Sequence, residues 1–208
     1  VPYNDAESLG TFWVDLPDFA SSIENLQLQR GVGTSTNGSS AFGASINILT
    51  NLISKTPYFE NSNSIGSYNT TKNTFKFSTG ILNDYFEFSG RLSKIDSDGY
   101  IDRSSSDLKS YFLQVNYKKE NTLIKALSFG GHEITYQAWN GIDEETLQSD
   151  RTYNPSGMYI DQSGDIQFYD NEVDNYKQDH YQIHWSQIIN SKLTSNLSFN
   201  LTNGLGYY

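Results

Sequence analysis

The residues able to do chemistry are concentrated in one stretch. Between 137 and 175 the chain carries nine acids, Asp143, Glu144, Glu145, Asp150, Asp161, Asp165, Asp170, Glu172 and Asp174, against a single base, Arg151. Such a segment is a solvated loop in the first instance, and a divalent-cation site or an anion-repelling rim in the second. No D-x-D-x-D-G run occurs in it, so a calcium loop of the EF-hand type is not supported. Aromatic side chains punctuate the same stretch, and rings of this kind either pack a loop down or contact a bulky amphipathic ligand. Tyr136, Trp139, Tyr153 and Tyr159 are the expected ligand contacts among them. His180 and His184 also qualify, but four residues of strand separate them by about 13 Å, too far for one metal ion.

Other chemistries are disfavoured. The chain has no cysteine, so neither disulfides nor thiolate metal sites arise. Gly31-Val32-Gly33-Thr34 lacks the Gly-Lys-Ser/Thr that completes a phosphate-binding loop, and no helix-forming run follows it. There is no G-x-S-x-G, no H-E-x-x-H and no carboxylate pair at convincing strand spacing. We therefore expect no enzyme, no cofactor and no resident metal. A net charge of −10 argues against nucleic acid as a partner.

The elements that must carry these residues read as strands. Ile23 to Thr50 opens with Ile23, Leu26 and Leu28 on one side and Gln27 and Gln29 on the other, which suits a half-buried strand. Gly31, Gly33, Gly38 and Gly43 then interrupt at turn-like positions, and Ala44 to Leu49 resumes as a second short strand. Lys55-Thr56-Pro57 reads as a linker.

Seven candidate strands follow. The first, Glu60 to Tyr68, has hardly any apolar face. The second alternates Phe75, Phe77, Thr79 and Ile81 with Lys76, Ser78 and Gly80, and the third sets Phe86, Phe88, Gly90 and Leu92 against Glu87, Ser89, Arg91 and Ser93. The fourth carries Tyr111, Leu113, Val115 and Tyr117. The fifth, Leu123 to Tyr136, has Lys125 beside Leu127 and Phe129, so its facing is ambiguous. The sixth opposes Tyr181, Ile183 and Trp185 to His180, Gln182 and His184. The seventh opposes Leu193, Leu197, Phe199, Leu201 and Leu205 to Thr194, Asn196, Ser198, Asn200 and Thr202.

A mean hydropathy of −0.57 would ordinarily indicate a soluble chain. In a transmembrane barrel, however, only every second side chain meets lipid, so strands are polar on average while keeping one oily face. Short turns near 83, 120 and 191 alternate with longer links near 69–72, 96–108 and 137–175, as on the two rims of such a barrel.

A resemblance agrees with this pattern. Gln29-Arg30-Gly31, Ser35-Thr36-Asn37-Gly38, Phe42-Gly43 and Ile46-Asn47-Ile48 resemble the C-terminal half of the plug of TonB-dependent outer-membrane transporters. Upstream, Tyr3-Asn4-Asp5 and Pro17-Asp18-Phe19-Ala20-Ser21-Ser22 look like the approach to that motif in Bacteroidetes-type members. Leu92 to Arg103 and Thr135 to Gly141 resemble the family's early barrel.

The resemblance implies an all-β chain, with half of a small α+β plug over residues 1–56 and about seven strands of a transmembrane antiparallel barrel over 57–208. The family's barrel has about 22 strands, so most of it would lie outside this sequence. Active import of a scarce nutrient is implied, with a ferric siderophore the leading class, bound above the plug. The implied partners are TonB, reached through a segment upstream of Val1, and the lipid of a Gram-negative outer membrane. In the family a plug arginine matching Arg30 pairs with barrel-wall glutamates, and the plug's upper turns, here Asn37, Ser39 and Ser40, touch ligand. His180 and His184 would point into the lumen near the extracellular end of their strand. The alternative is a soluble or surface-exposed all-β binding or adhesion module.

Overall fold

The computed structural model describes Tyr3 and residues 10–32, 43–50 and 52–208; Asn37, Ser39 and Ser40 lie outside the described residues. The first two strands, β1 (Ile23–Arg30) and β2 (Ala44–Thr50), form an antiparallel hairpin. Gly31 leaves β1 with φ +86°, which a side chain would strain, and its N–H donates to the Gly43 carbonyl at 2.8 Å. The register steps from Ile23↔Thr50 to Asn25↔Leu49, leaving Glu24 as the extra residue of a β-bulge. That bulge is why Ile23 shares a side with Leu26 and Leu28, which strict alternation forbids, and with their partners Ile48 and Ile46.

The main sheet holds the seven expected strands as an antiparallel meander. In sequence they are β3 (Pro57–Ile65), β4 (Thr71–Thr79), β5 (Phe86–Ser97), β6 (Ser106–Lys119), β7 (Thr122–Tyr136), β10 (Val173–Asn190) and β11 (Leu193–Tyr207), and they pair in that order. The fold is all-β and predominantly antiparallel sheet. Asn83 and Asp84 both take positive φ, the conformation of a tight hairpin turn between β4 and β5, and Glu120 does so between β6 and β7.

The stretch expected to be a plain loop at 137–175 is partly structured. It contains α1 (Glu144–Ser149), whose N-cap Asp143 accepts the Thr146 N–H at 2.9 Å, and a hairpin of β8 (Met158–Ile160) with β9 (Ile166–Phe168). Arg103, from the link between β5 and β6, lies 3.6 Å over the Phe168 ring and donates to the Asn154 carbonyl. Buried Asn154 donates in turn to the carbonyls of Asp102 (3.0 Å) and Gln137 (2.9 Å), tying the two long links together.

The two faces of the sheet differ in kind. On one, Phe86, Tyr117, Ile124, Trp185 and Leu197 stand opposite one another in a row across five strands. Phe88, Val115, Ala126, Ile183 and Phe199 form the next row, and Phe77, Leu113, Tyr181 and Leu201 belong to the one after. From Phe86 to Leu92 this apolar band is about 20 Å tall. A row of Lys94, Lys109, His132 and Lys177 ends it. No described residue packs a second sheet on this face: Phe199 is 63% and Leu201 58% exposed. Among the described residues no helix is long and apolar enough to cross a membrane, which has no bearing on strands.

The opposite face is covered by the N-terminal segment, and the core lies between the two. Leu16 and Phe19 pack on Phe112, Leu127 and Phe129, with Tyr3, Ile23 and Ile48 beside them. This resolves the facing of β7. Lys125, Leu127 and Phe129 all turn toward the segment, and the Lys125 ammonium reaches Thr50 Oγ1 at 3.1 Å.

Candidate functional site

One transverse row of the covered face organises the contact with the N-terminal segment. Arg91, Phe112, Phe129, His180 and Thr202 are successive register partners on β5, β6, β7, β10 and β11. Along this row run two short 3-10 turns, Trp13–Asp15 and Phe19–Ser22, with Asp18 between them at φ 55°.

At one end the row is ionic. Asp18 Oδ2 accepts from Arg91 Nη1 at 3.0 Å, while Oδ1 accepts from Lys72 Nζ at 2.5 Å. The hydroxyls of Ser21 and Ser93 also donate to this carboxylate. Arg91 completes its shell with Ser22 Oγ at 2.7 Å and Ser110 Oγ at 3.0 Å. Both charges are buried, the Arg91 and Asp18 side chains being 1% and 4% exposed. Burial by itself raises the Asp18 pKa, but the bonds from Lys72, Ser21 and Ser93 and the charge of Arg91 overcome it and hold the carboxyl below its ordinary range.

At the centre the row is aromatic. The Phe19 and Phe112 rings stand 5.3 and 5.7 Å from that of Phe129, and Tyr3 joins at 6.3 Å. At the far end Tyr3 Oη hydrogen-bonds His180 Nε2 at 2.7 Å, and Thr202 Oγ1 meets His180 Nδ1 at 2.9 Å. Burial, then the charge of Asp15, pushes the Tyr3 phenol up, so it stays protonated. Next to the row Gly131 admits Pro17: a Cβ there would stand 2.8 Å from Pro17 Cγ and closer still to Cδ.

Among the described residues, two cavities lie between segment and sheet on either side of this contact. The larger, of about 1020 Å³, is a cleft lined by Phe12, Asp15, Trp139, Asp174, Tyr176 and Tyr208 among others. The smaller, of about 380 Å³, lies between β2 and the wall at Lys125, Leu127 and His184. Tyr3 borders both.

The residues singled out from sequence are not one cluster. Trp139 is exposed and lines the large cleft. Tyr136 is buried at the end of β7, its hydroxyl donating to the Tyr169 carbonyl at 2.8 Å, which makes it a brace under the long link. Tyr159 stacks on Tyr169 at 4.4 Å, and the Tyr153 hydroxyl points to Met158 Sδ at 3.6 Å. His180 and His184 share the covered face as expected. β10 extends from Val173 to Asn190, however, so His180 sits mid-strand and not near an end, beneath Tyr3. His184 bonds Ser198 at 2.8 Å and Gln182 at 3.1 Å. Arg30 is exposed at the end of β1. Among the described residues, the ion pairs joining segment to sheet run through Asp18. No group of three metal-ligating side chains occurs among the described residues.

A segment pinned across one face of a strand meander, with a bare apolar band on the other, has a structural counterpart. The chain is similar in fold to the plug and barrel region of a TonB-dependent receptor. One such counterpart is the ferric-catecholate import receptor Fiu from E. coli K12 in its open form, matched with a TM-score of 0.69 at 14% identity. The match covers 89% of this chain and 29% of that one, so this chain spans under a third of the receptor's length. No family model matches the sequence, and no curated protein matches it.

Asp18, Arg91 and Tyr3 were not distinguished by their types. Arg91 reads as one more polar residue between Ser89 and Ser93, and its partner is 73 residues away. The one local signal is that a guanidinium flanked on its face by the uncharged Ser89 and Ser93 needs a counter-charge if that face is covered.

Proposed function

We propose that the chain is part of an outer-membrane active transporter, with residues 1–56 as half of its plug and 57–208 as the first strands of its barrel wall. The observation that carries this reading is the pairing of faces: the same strands present a bare band about 20 Å tall of large apolar side chains and, on the reverse, a polar face closed by an anchored segment. In water a band of that size would be an association hazard, whereas in a bilayer it is a solvated surface. A soluble binding or adhesion module leaves the band without a solvent, so the transporter is preferred.

In this reading ligand enters the large cleft from the side of the long links and rests above the plug. A periplasmic TonB, energised from the inner membrane, pulls on a segment upstream of Val1 and shifts the plug from the wall. Asn37, Ser39 and Ser40 would contact ligand at the plug's upper turn, with Trp139 and the other link aromatics around it. Arg30 would pair with wall glutamates on strands beyond this sequence. A ferric siderophore is the favoured cargo class, with support limited to the fold shared with a ferric-catecholate import receptor.

Growth of a deletion strain on single iron or vitamin sources tests the reading. Loss of growth on one iron chelate, restored by the full-length gene but not in a strain lacking TonB, is the expected result. Unimpaired growth on every source, or purification of the protein without detergent, would overturn it.

A further inference from the structure

Trp139 lines the large cleft and is 66% exposed, yet the backbone that carries it is pinned on both sides. The Gln137 N–H donates to the Glu172 carbonyl at 2.9 Å, and the Gln137 carbonyl accepts from Asn154 Nδ2 at 2.9 Å. On the other side Asn140 Nδ2 donates to Ser156 Oγ at 3.0 Å. Asn154 and Ser156 are themselves buried. A loose link would let so large a ring pack down onto the wall, whereas a braced one holds it out as a contact surface.

Tyr176 supplies a second ring in the same cleft. It runs along β11 over two glycines: a Cβ at Gly206 would stand 2.5 Å from Tyr176 Cδ2, and one at Gly204 3.0 Å from Cζ. Gln178 Nε2 meets its hydroxyl at 3.4 Å. The floor beside this ring is neutral and hydrogen-bonding. Gln182 and Asn200 are register partners, about 5 Å apart across the strands, and Thr202 follows Asn200 about 7 Å along β11 on the same face. All three line the cleft, and no lysine or arginine is among the described lining residues, so an anionic group meets no counter-charge from them.

Aromatic surface beside carboxamides and hydroxyls, without a base, is the complement of a sugar. The negative face of an aromatic ring attracts the polarised C–H bonds of a pyranose, and each sugar hydroxyl both donates and accepts, as each carboxamide does. We propose that the cleft binds sugar, with ring faces against Trp139 and Tyr176 and hydroxyls on Gln182, Asn200 and Thr202. The sugar is either a free oligosaccharide or the glycosyl part of an iron chelate. This rests on the reading of the cleft as the ligand vestibule of an import receptor, and it names the part of the ligand that the vestibule recognises.

The test is isothermal titration calorimetry on the full-length protein, in a detergent without a sugar headgroup. The probes are a ferric tris-catecholate, its glucosylated form, and a panel of neutral α- and β-linked oligosaccharides free of iron. Binding is expected to depend on sugar. A glucosylated chelate about tenfold tighter than its parent assigns a glycosylated chelate as the ligand, and saturable binding of an oligosaccharide assigns a free glycan. Trp139→Ala should weaken that binding about tenfold, the change expected from losing one stacked ring. Trp139→Phe, which keeps a ring face, should retain most of it. Asn200→Ala, on the floor, should weaken it in a protein whose link is untouched. No gain from glucose together with no bound oligosaccharide would overturn the proposal, as would sugar binding undiminished in both Trp139→Ala and Asn200→Ala. Equal binding of the two chelates would overturn it while leaving the import-receptor reading intact, and that reading is decided separately by the growth assay.

Discussion

Replacing Arg91 with methionine should loosen the N-terminal segment without unfolding the sheet. The guanidinium is 3.0 Å from Asp18 Oδ2, 2.7 Å from Ser22 Oγ and 3.0 Å from Ser110 Oγ, so the change removes three bonds and strands a buried carboxylate. Breaking a buried ion pair by deleting one partner costs about 3–5 kcal/mol. Lys72 remains at 2.5 Å and is 36% exposed, so it can follow the carboxylate, and the lower end, about 3 kcal/mol, applies. At about 1.4 kcal/mol per tenfold, local opening should become roughly a hundredfold more frequent. Hydrogen exchange in the detergent-solubilised full-length protein measures this directly. The amides of Phe19 and Ser21, bonded to the carbonyls of Leu16 and Asp18, are the probes, and amides in the middle of β7 are the control. Phe19 and Ser21 should exchange about a hundredfold faster in Arg91→Met, with the control unchanged. In the double variant Asp18→Asn/Arg91→Met neither charge of the pair is left buried without its partner, so exchange should return part of the way to wild type. Exchange within threefold of wild type in the single variant, or simple additivity in the double, would refute the assignment of Asp18–Arg91 as the anchor.

Three further outcomes follow from the same geometry. Gly131→Val places a side chain where Pro17 lies and should cost about 1–3 kcal/mol of docking, read as faster exchange at Phe19 with the sheet control unmoved. Ile183→Arg, in the middle of the apolar band, should cost about 2–4 kcal/mol of folding into lipid vesicles. Asn200→Arg, on the other face of the adjacent strand, should cost far less, and equal costs in a urea titration would deny that the band faces lipid. The Asp18 pKa is depressed in the folded protein, so its contribution to docking is complete above the ordinary carboxyl pKa of about 3.9 and is lost as pH falls through the lower folded value. The force needed to pull residues 10–22 from the wall should therefore hold as pH falls to the ordinary carboxyl pKa of about 3.9 and drop only below it; a drop centred at pH 6 would assign the anchor to another group.

The strands were legible because their signal is local. Leu193 to Leu205 alternates with a period of two, and any partner that keeps one face in oil and the other in a polar space produces the same pairing, so the meander follows from the pattern. The turn at Asn83-Asp84 is equally local, since Asn and Asp are among the residues that tolerate positive φ. The bulge at Glu24 was visible only as a misfit, Ile23 having the wrong parity for Leu26 and Leu28.

What tertiary structure decided is which polar-face residues do something. Lys125, Leu127 and Phe129 could not be oriented from sequence, because a covered face accepts apolar side chains where a segment lies on it and polar ones where it does not, and nothing within β7 says where the segment lies. Asp18 meets Arg91 and Tyr3 meets His180 only once the registers place distant strands side by side. Alternation is a property of neighbours in the chain, so the sequence by itself determined the sheet and its two faces. The anchor and the cleft beside it are sums over contacts as much as 177 residues apart, and no local pattern carries that information.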